Sequence, residues 1–120
     1  MGAVTTRQLQ SVFAHRIAKL ILRAEELGFE VTCGEFYRSP EEAERLDQEA
    51  KGRAIKRSLH CDRLAADLLL FKNGIYLTAS EDYTALGLAW EAMSDAIATC
   101  TWGGQFDDGN HFSIAYQGRK

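Results

Sequence analysis

The stretch AADLLLFKNGIYL, residues 65–77, decides the fold class of this chain. Residues 65–71 form an apolar run of strand length, and the Asn73-Gly74 pair that follows is a strong signal for a two-residue hairpin turn. Residues 75–77 then provide the return strand. A hairpin in the middle of the chain predicts an antiparallel sheet, which the flanking segments must cover.

The flanking segments predict three helices and three further strands. Apolar residues recur at three- and four-residue steps over residues 7–27, which predicts an amphipathic helix with Thr5 and Gln8 as a capping box and Gly28 as its end. Strands are predicted over residues 29–33, 101–102 and 112–116. A second helix runs from Pro40 to about Ala50 and is capped by Ser39. A third helix is capped by Thr78 and Glu81, and its buried stripe consists of Leu86, Ala89, Trp90, Met93 and Ile97. This order predicts an α+β domain with helices packed on an antiparallel sheet.

Length and composition limit the classes of protein that this chain can represent. Its 120 residues fit a single domain spanning residues 1–120. The formal net charge of −3 argues against a general nucleic-acid binder, and no apolar run approaches the ~20 residues of a membrane span. The polar N-terminus lacks a signal core, so we expect synthesis in the cytoplasm. Cys33, Cys61 and Cys100 follow no disulfide or zinc spacing, and we expect free buried thiols.

Asp67 is the one charged residue in the apolar run 65–71. A carboxylate in such a segment needs a cation, a metal or several donors to compensate its burial. His60 lies seven residues upstream, and His111 begins a strand near the C-terminus with Asp108 three residues before it. Two imidazoles and one carboxylate, with a fourth position left for water, are the ligand set of an open catalytic zinc site.

Other assignments of these residues are also open. Asp67 could instead pair with Arg63 or Arg57, which would leave the two histidines as polar edge residues. Thiolates bind zinc, but Cys61 adjoins a candidate ligand on an extended segment, where neighbouring side chains point to opposite faces. His15 falls opposite the apolar stripe of the first helix, so we expect it in solvent.

Two motifs and one shorter segment occur in a recognisable order along the chain. SLHCDRLAAD, residues 58–67, is similar to the pattern SxHxxGxAxD, and WGGQFDDGNHF, residues 102–112, is similar to WGG followed by DxxHF. YRS, residues 37–39, precedes both. In this order they resemble the zinc D-alanyl-D-alanine carboxypeptidase family, which includes compact phage L-alanyl-D-glutamate endopeptidases.

The resemblance implies a role for each matched polar residue. His60, Asp67 and His111 would bind Zn²⁺ on the sheet, and Asp108 would be the catalytic acid/base. Arg38 would have a catalytic and a substrate-binding role, because its planar cation can grip a peptide carboxylate or stabilise a developing oxyanion.

Three further positions in the motifs have two interpretations each, and three more would have a supporting role. Asp107 is either the acid/base in place of its neighbour or a turn residue. Ser58 either hydrogen-bonds substrate or caps the turn. Residues 102–104 would shape the cleft wall. Arg63 stands where the family pattern has Gly, so it either remodels the loop or places a cation near the cleft.

A cluster of basic residues lies just before and within the first motif. Such a run is either a solvated loop or an attraction surface for an anionic polymer, in which case salt would weaken binding. Its members are Lys51, Arg53, Lys56, Arg57 and Arg63.

The resemblance implies a zinc-dependent hydrolase that cleaves the peptide stems of bacterial peptidoglycan, most nearly an L-alanyl-D-glutamate endopeptidase acting as a phage endolysin. A D-alanyl-D-alanine carboxypeptidase or dipeptidase is the alternative reaction, and a non-catalytic, zinc-stabilised wall-binding or virion protein is the alternative of another class. We expect no separate cell-wall-binding domain, no nucleic-acid partner and no membrane insertion, and we assume a monomer. The protein would act at the cell wall or periplasm after release, or be carried in a virion.

Overall fold

The computed structural model describes residues 4–49 and 58–120. Three α-helices and five strands occur in this part of the chain: α1 (Thr6–Glu26), β1 (Glu30–Cys33), α2 (Pro40–Glu49), β2 (Ala65–Lys72), β3 (Ile75–Tyr76), α3 (Thr84–Glu91), β4 (Cys100–Trp102) and β5 (His111–Ile114). Short 3-10 helices lie at Leu59–Asp62, Ser80–Tyr83 and Gly103–Phe106. The predicted α+β class, with helices packed on an antiparallel sheet, is confirmed.

Helix α1 forms where its cap and its apolar spacing predict it. The Thr5 hydroxyl accepts the Gln8 backbone N–H at 3.1 Å, and the Gln8 side chain accepts the Thr5 N–H at 2.8 Å, which completes the predicted capping box. Gly28 follows the helix with φ of 94°, a conformation that costs glycine little. α1 is amphipathic, and no described helix is both long and apolar enough to cross a bilayer.

The sheet is antiparallel throughout, with the strand order β1-β2-β5-β4 and with β3 paired to the distal end of β2. Asn73 and Gly74 both have positive φ, as the predicted two-residue hairpin requires. Leu68 and Leu70 of β2 are fully buried in the core. Because side chains alternate along a strand, Asp67 leaves β2 on the opposite face from these leucines.

Trp90 of α3 joins the helices to the sheet. Its ring meets Phe13 of α1 and Phe112 of β5 edge to face, with centroid distances of 5.8 and 6.2 Å. Its indole N–H donates to the Ser113 carbonyl at 3.0 Å, so this fully buried side chain leaves no polar atom unpaired. α1 and α3 therefore pack on one face of the sheet, and Asp67 lies on the other face.

The start of the third helix differs from the prediction. Thr78 and Glu81 form no capping box, because the 3-10 helix Ser80–Tyr83 precedes α3 and continues directly into it. Glu81 contributes its backbone carbonyl instead, which accepts the Thr84 hydroxyl at 2.8 Å.

The end of the third helix also differs. α3 ends at Glu91, so Met93 and Ile97 lie outside it, and Ile97 is 53% exposed rather than part of a buried stripe. Asp95 supplies the physical reason, because its carboxylate accepts the N–H groups of Ile97 and of the residue after it at 2.9 and 3.1 Å. Arg16 of α1 holds the same carboxylate at 2.8 Å. These bonds favour a turn over continued helix.

The prediction of three buried thiols is wrong at one position. Cys33 is exposed, whereas Cys61 and Cys100 are buried, and all three are free. Cys33 ends β1, which lies at the edge of the sheet and has mostly exposed side chains.

Candidate active site

The register of the sheet brings Asp67 and His111 together. In the antiparallel pair β2–β5, Asp67 is directly opposite His111. Residues paired in this way have Cβ atoms about 4.5–5.5 Å apart on one face of the sheet. Asp67 Oδ1 lies 3.6 Å from His111 Nδ1, so two of the three predicted ligands meet through strand pairing alone.

His60 reaches the same point from the 3-10 helix Leu59–Asp62. Ser58 caps this helix, and its hydroxyl oxygen accepts the His60 backbone N–H at 3.1 Å. The His60 Nδ1 atom lies 3.3 Å from the Phe36 carbonyl, which can only accept, so Nδ1 carries the proton. Nε2, on the other side of the ring, faces Asp67 and lies 3.4 Å from its Oδ1 atom. Ser58 is therefore a capping residue in this structure.

The three donor groups fit a metal ion. His60, Asp67 and His111 each offer one ligand atom, and these atoms lie within 4.8 Å of one another. A tetrahedral zinc ion with bonds of about 2.0–2.2 Å holds its ligands roughly 3.3–3.5 Å apart, close to the separations of 3.4 and 3.6 Å found here. Two imidazole nitrogens and one carboxylate are also a donor set that Zn²⁺ accepts, so the residues present fit the expected ion.

The two histidines stabilise the charged form of the Asp67 carboxylate in its apolar strand. Burial alone would raise the pKa of Asp67, but hydrogen bonds from His111 and His60, together with their charge, outweigh burial and lower this pKa to about 2. The alternative ion pair with Arg63 is not what the structure contains, because the Arg63 guanidinium lies over the Tyr37 ring, 4.2 Å from its centroid. Arg57 falls outside the described residues.

Asp108 lies on the turn between the 3-10 helix Gly103–Phe106 and β5. Its Oδ2 atom is 4.0 Å from His111 Nδ1, and its side chain is 59% exposed on the open side of the site. Partial burial raises the pKa of Asp108; the charge on His111 opposes this rise, and the Asp67 carboxylate adds to it. A raised pKa beside a metal-binding group suits a residue that accepts and returns a proton.

Asp107 is engaged elsewhere. Its carboxylate accepts the Ser80 hydroxyl at 3.1 Å, and its backbone ends the 3-10 helix in the left-handed conformation with φ of 58°. These contacts match the turn role rather than the acid/base role among the two interpretations of Asp107.

Arg38 adjoins the site and is held by a residue that no motif contains. Its backbone N–H donates to the His60 carbonyl at 3.2 Å. Its Nε–H donates to Glu35 Oε1 at 2.9 Å, and Nη2 donates to the same oxygen. The charge of Arg38 is among the influences that lower the pKa of Asp108. The only signal of Glu35 in the sequence is an acidic residue three positions before an arginine.

Arg63 adopts the backbone conformation for which the family pattern has glycine. Its φ of 58° and ψ of 36° are left-handed, and it ends the 3-10 helix that carries His60. This conformation is free for glycine and costs other residues about 1–2 kcal/mol. The Arg63 side chain stacks on exposed Tyr37, and both residues line a cavity with Phe13 and Ile17 of α1. The structure therefore gives Arg63 a packing contact rather than either of the two predicted roles.

A cavity of about 300 Å³ opens beside Asp108 and His111. Ser58, Gly103 and Phe106 contribute to its mostly apolar wall. Its size suits a short peptide segment.

The remaining predicted positions lie away from these groups. His15 is exposed, as predicted. Cys61 is buried and does not belong to the group of converging donors found among residues 4–49 and 58–120. Of the basic cluster, Lys51, Arg53 and Lys56 fall outside the described residues.

Comparisons with known proteins concern the fold. No family model and no curated protein matches this chain. Four chains of solved structures match, among them the crystal structure of the Serratia marcescens L-Ala D-Glu endopeptidase ChiX. That match has a TM-score of 0.68 and 19% sequence identity, and it covers 98% of this chain and 90% of the other. The chain therefore shares the fold of that endopeptidase over nearly its whole length.

Proposed function

We propose that this protein is a zinc peptidase that hydrolyses the peptide stem of bacterial peptidoglycan at the L-alanyl-D-glutamate bond. The observation that carries the proposal is the convergence of His60, Asp67 and His111 with Asp108 beside them. The shared fold with an L-Ala D-Glu endopeptidase and the resemblance of the motifs to the zinc D-alanyl-D-alanine carboxypeptidase family support the same function.

The proposed chemistry divides among a few side chains. A bound Zn²⁺ supplies Lewis acidity, which polarises the scissile carbonyl and lowers the pKa of water at the site. Asp108 takes a proton from the attacking water and returns it to the leaving amine nitrogen, a role that its raised pKa supports. Asp67 keeps its negative charge at neutral pH because its pKa is about 2.

Two further residues act on the substrate in this proposal. Arg38 donates N–H groups to a substrate carboxylate or to the oxyanion that develops during attack. Ser58 lines the cavity. Its hydroxyl oxygen caps the 3-10 helix by accepting the His60 N–H, and its hydroxyl proton is free to donate to the peptide.

The test combines metal analysis with defined muropeptides analysed by mass. We expect one zinc ion per chain and products cut between L-Ala and D-Glu. Release of terminal D-Ala instead would support the carboxypeptidase alternative. Purified protein that binds no zinc would contradict the proposal, and zinc binding without any cleavage would favour the non-catalytic wall-binding or virion alternative.

We extend the proposal to the place of action. A phage endolysin made in the cytoplasm would reach the wall or periplasm after release, and a virion-borne enzyme would be delivered with the particle. Antibody detection in purified virions and in culture supernatant after induction separates these two routes.

A further inference from the structure

We infer that Glu35 is a positioning residue for Arg38: its carboxylate determines which edge of the Arg38 guanidinium faces the substrate. The inference rests on the proposed function, in which Arg38 contacts the substrate, and it adds a residue that belongs to neither motif.

The hydrogen bonds of the pair define the edge. Glu35 Oε1 accepts Arg38 Nε–H at 2.9 Å and also accepts from Nη2. Nε and Nη2 form the lateral edge of the planar fork, which is therefore occupied by the chain's own carboxylate. Three of the five N–H donors of the guanidinium remain, two on Nη1 and the outer one on Nη2, and the outer N–H groups of Nη1 and Nη2 form its outer edge. Unless its hydrogen bonds to Glu35 break, Arg38 can therefore bind a substrate carboxylate only through this outer edge.

The backbone fixes Glu35 relative to the metal-binding group. The Glu35 carbonyl accepts the Asp67 N–H at 2.8 Å, and the preceding Gly34 N–H donates to the Asp67 carbonyl at 2.8 Å. Arg38 in turn bonds the His60 carbonyl through its backbone N–H. Both ends of the segment 34–38 are therefore tied to candidate ligands, and the Glu35 side chain is held at a defined distance from them.

The partner of Glu35 is Arg38 rather than His60. Glu35 Oε1 lies 3.9 Å from His60 Nδ1, beyond hydrogen-bonding distance, and Nδ1 already faces the Phe36 carbonyl at 3.3 Å. The Arg38 and Glu35 side chains are 17% and 32% exposed. A pair sheltered to this degree keeps the long arginine in one geometry before substrate arrives, so less conformational entropy is lost on binding.

The chain provides a matched control for substitutions. Glu42 and Arg45 repeat the three-residue spacing on α2, where Arg45 Nε–H donates to Glu42 Oε1 at 2.6 Å. The Arg45 side chain is 55% exposed, and no contact joins this pair to His60, Asp67 or His111 among the contacts of the described residues. Glu42→Ala removes an ion pair of the same spacing away from the site, while Arg45 keeps its second partner, Glu49.

The kinetic test compares Glu35→Ala, Glu35→Gln and Glu42→Ala on a muropeptide. We expect kcat/KM to fall about tenfold or more in Glu35→Ala. In Glu35→Gln it should stay within about threefold of wild type, because the amide oxygen still accepts from Nε. In Glu42→Ala it should stay unchanged. In an Arg38→Ala background, Glu35→Ala should cost less than about twofold, because its effect acts through Arg38. An equal cost in both backgrounds would overturn the inference.

A second readout does not depend on hydrolysis. In metal-free protein, exchange of the Arg38 Nε–H with water, followed by NMR and assigned with Arg38→Lys, should accelerate about tenfold or more in Glu35→Ala and little in Glu35→Gln. Unchanged exchange in Glu35→Ala would contradict the pairing. If wild type cleaves no muropeptide, the proposed function fails, whereas the exchange measurement still decides the role of Glu35.

Discussion

The Gly103 carbonyl accepts the backbone N–H of Asp108 at 3.0 Å, which closes the turn that leads into β5. A Cβ atom on Gly103 would lie 2.9 Å from the Cβ of His111 and would overlap the Asp108 carbonyl oxygen. The glycine therefore permits the close approach that places the candidate acid/base and a candidate ligand on one short turn.

Gly103→Ala should displace this turn and reduce kcat/KM by about a hundredfold, because catalytic groups lose much of their effect when moved by about 1 Å. Zinc affinity should fall as well, since His111 moves with the turn. Gly28→Ala serves as the control: it strains a positive φ outside the site, so it should cost about 1 kcal/mol of stability and leave kcat/KM unchanged. Normal activity of Gly103→Ala would show that the turn tolerates the methyl group.

Asp108→Asn should lower turnover by a factor of about 10²–10⁴ with zinc still bound, because the amide keeps the shape of the side chain but cannot accept the proton. Asp107→Asn is the matched control and should retain turnover, because the Ser80 hydroxyl can still donate to the amide oxygen of the new side chain. Steady-state kinetics and metal content, measured on the same samples, check both expectations. The reverse pattern would assign the acid/base to Asp107.

Asp67→Ala should weaken zinc binding by more than about a hundredfold, beyond the range for loss of an outer-shell partner. Competition with a fluorescent chelator measures the affinity. Zinc should also raise the Tm of wild type and leave that of the variant unchanged, because a ligand stabilises only a fold that binds it. A variant that still takes up one zinc ion tightly would remove Asp67 from the ligand set.

Asp95 should make folding stability depend on acid pH. The hydrogen bond from Arg16 and the N–H groups of Ala98 and Ile97 lower the pKa of this carboxyl. A carboxylate with a lowered folded-state pKa contributes stability above its unfolded value of about 3.9, and this contribution is lost as pH falls through the folded value. The Tm difference between wild type and Asp95→Asn should therefore be largest near neutral pH and shrink toward pH 2. A constant difference would contradict this origin.

Arg63→Gly should unfold with a free energy about 1 kcal/mol higher than that of Arg63→Ala. Both changes remove the stacking on Tyr37, but only glycine adopts φ of 58° without steric cost. Urea denaturation of the two variants provides the comparison. If alanine equals glycine, the 3-10 helix must relax to a different backbone conformation after substitution.

Local signals were enough to predict the elements whose determinants are close in sequence. Thr5 and Gln8 cap α1, Ser39 accepts the Glu42 N–H at the start of α2, and the Asn73-Gly74 turn joins β2 to β3. Each feature depends on residues within a few positions of one another. The motifs likewise indicated the three donor residues that converge in the structure, because the anomaly of Asp67 in an apolar strand coincided with a recognisable pattern.

Features that depend on distant residues could not be predicted. Arg16 and Asp95 are 79 positions apart, and their contact, which accompanies the end of α3, leaves no local pattern. The choice between Asp107 and Asp108 depended on which carboxylate faces His111 and which faces Ser80. These relationships exist only once the chain has packed.

The pairing of Asp67 with His111 also links the chemistry to the order of folding. A slip of one residue between β2 and β5 would place Asp67 on the core face of the sheet, and a slip of two would keep its face but part it from His111. His60 joins only when the segment before β2 has wound into its 3-10 helix. The three donor residues therefore come together only in a chain whose strands have paired in the correct register. Under the proposed function, a metal ion would bind only after the sheet has formed, and misregistered copies would stay inactive.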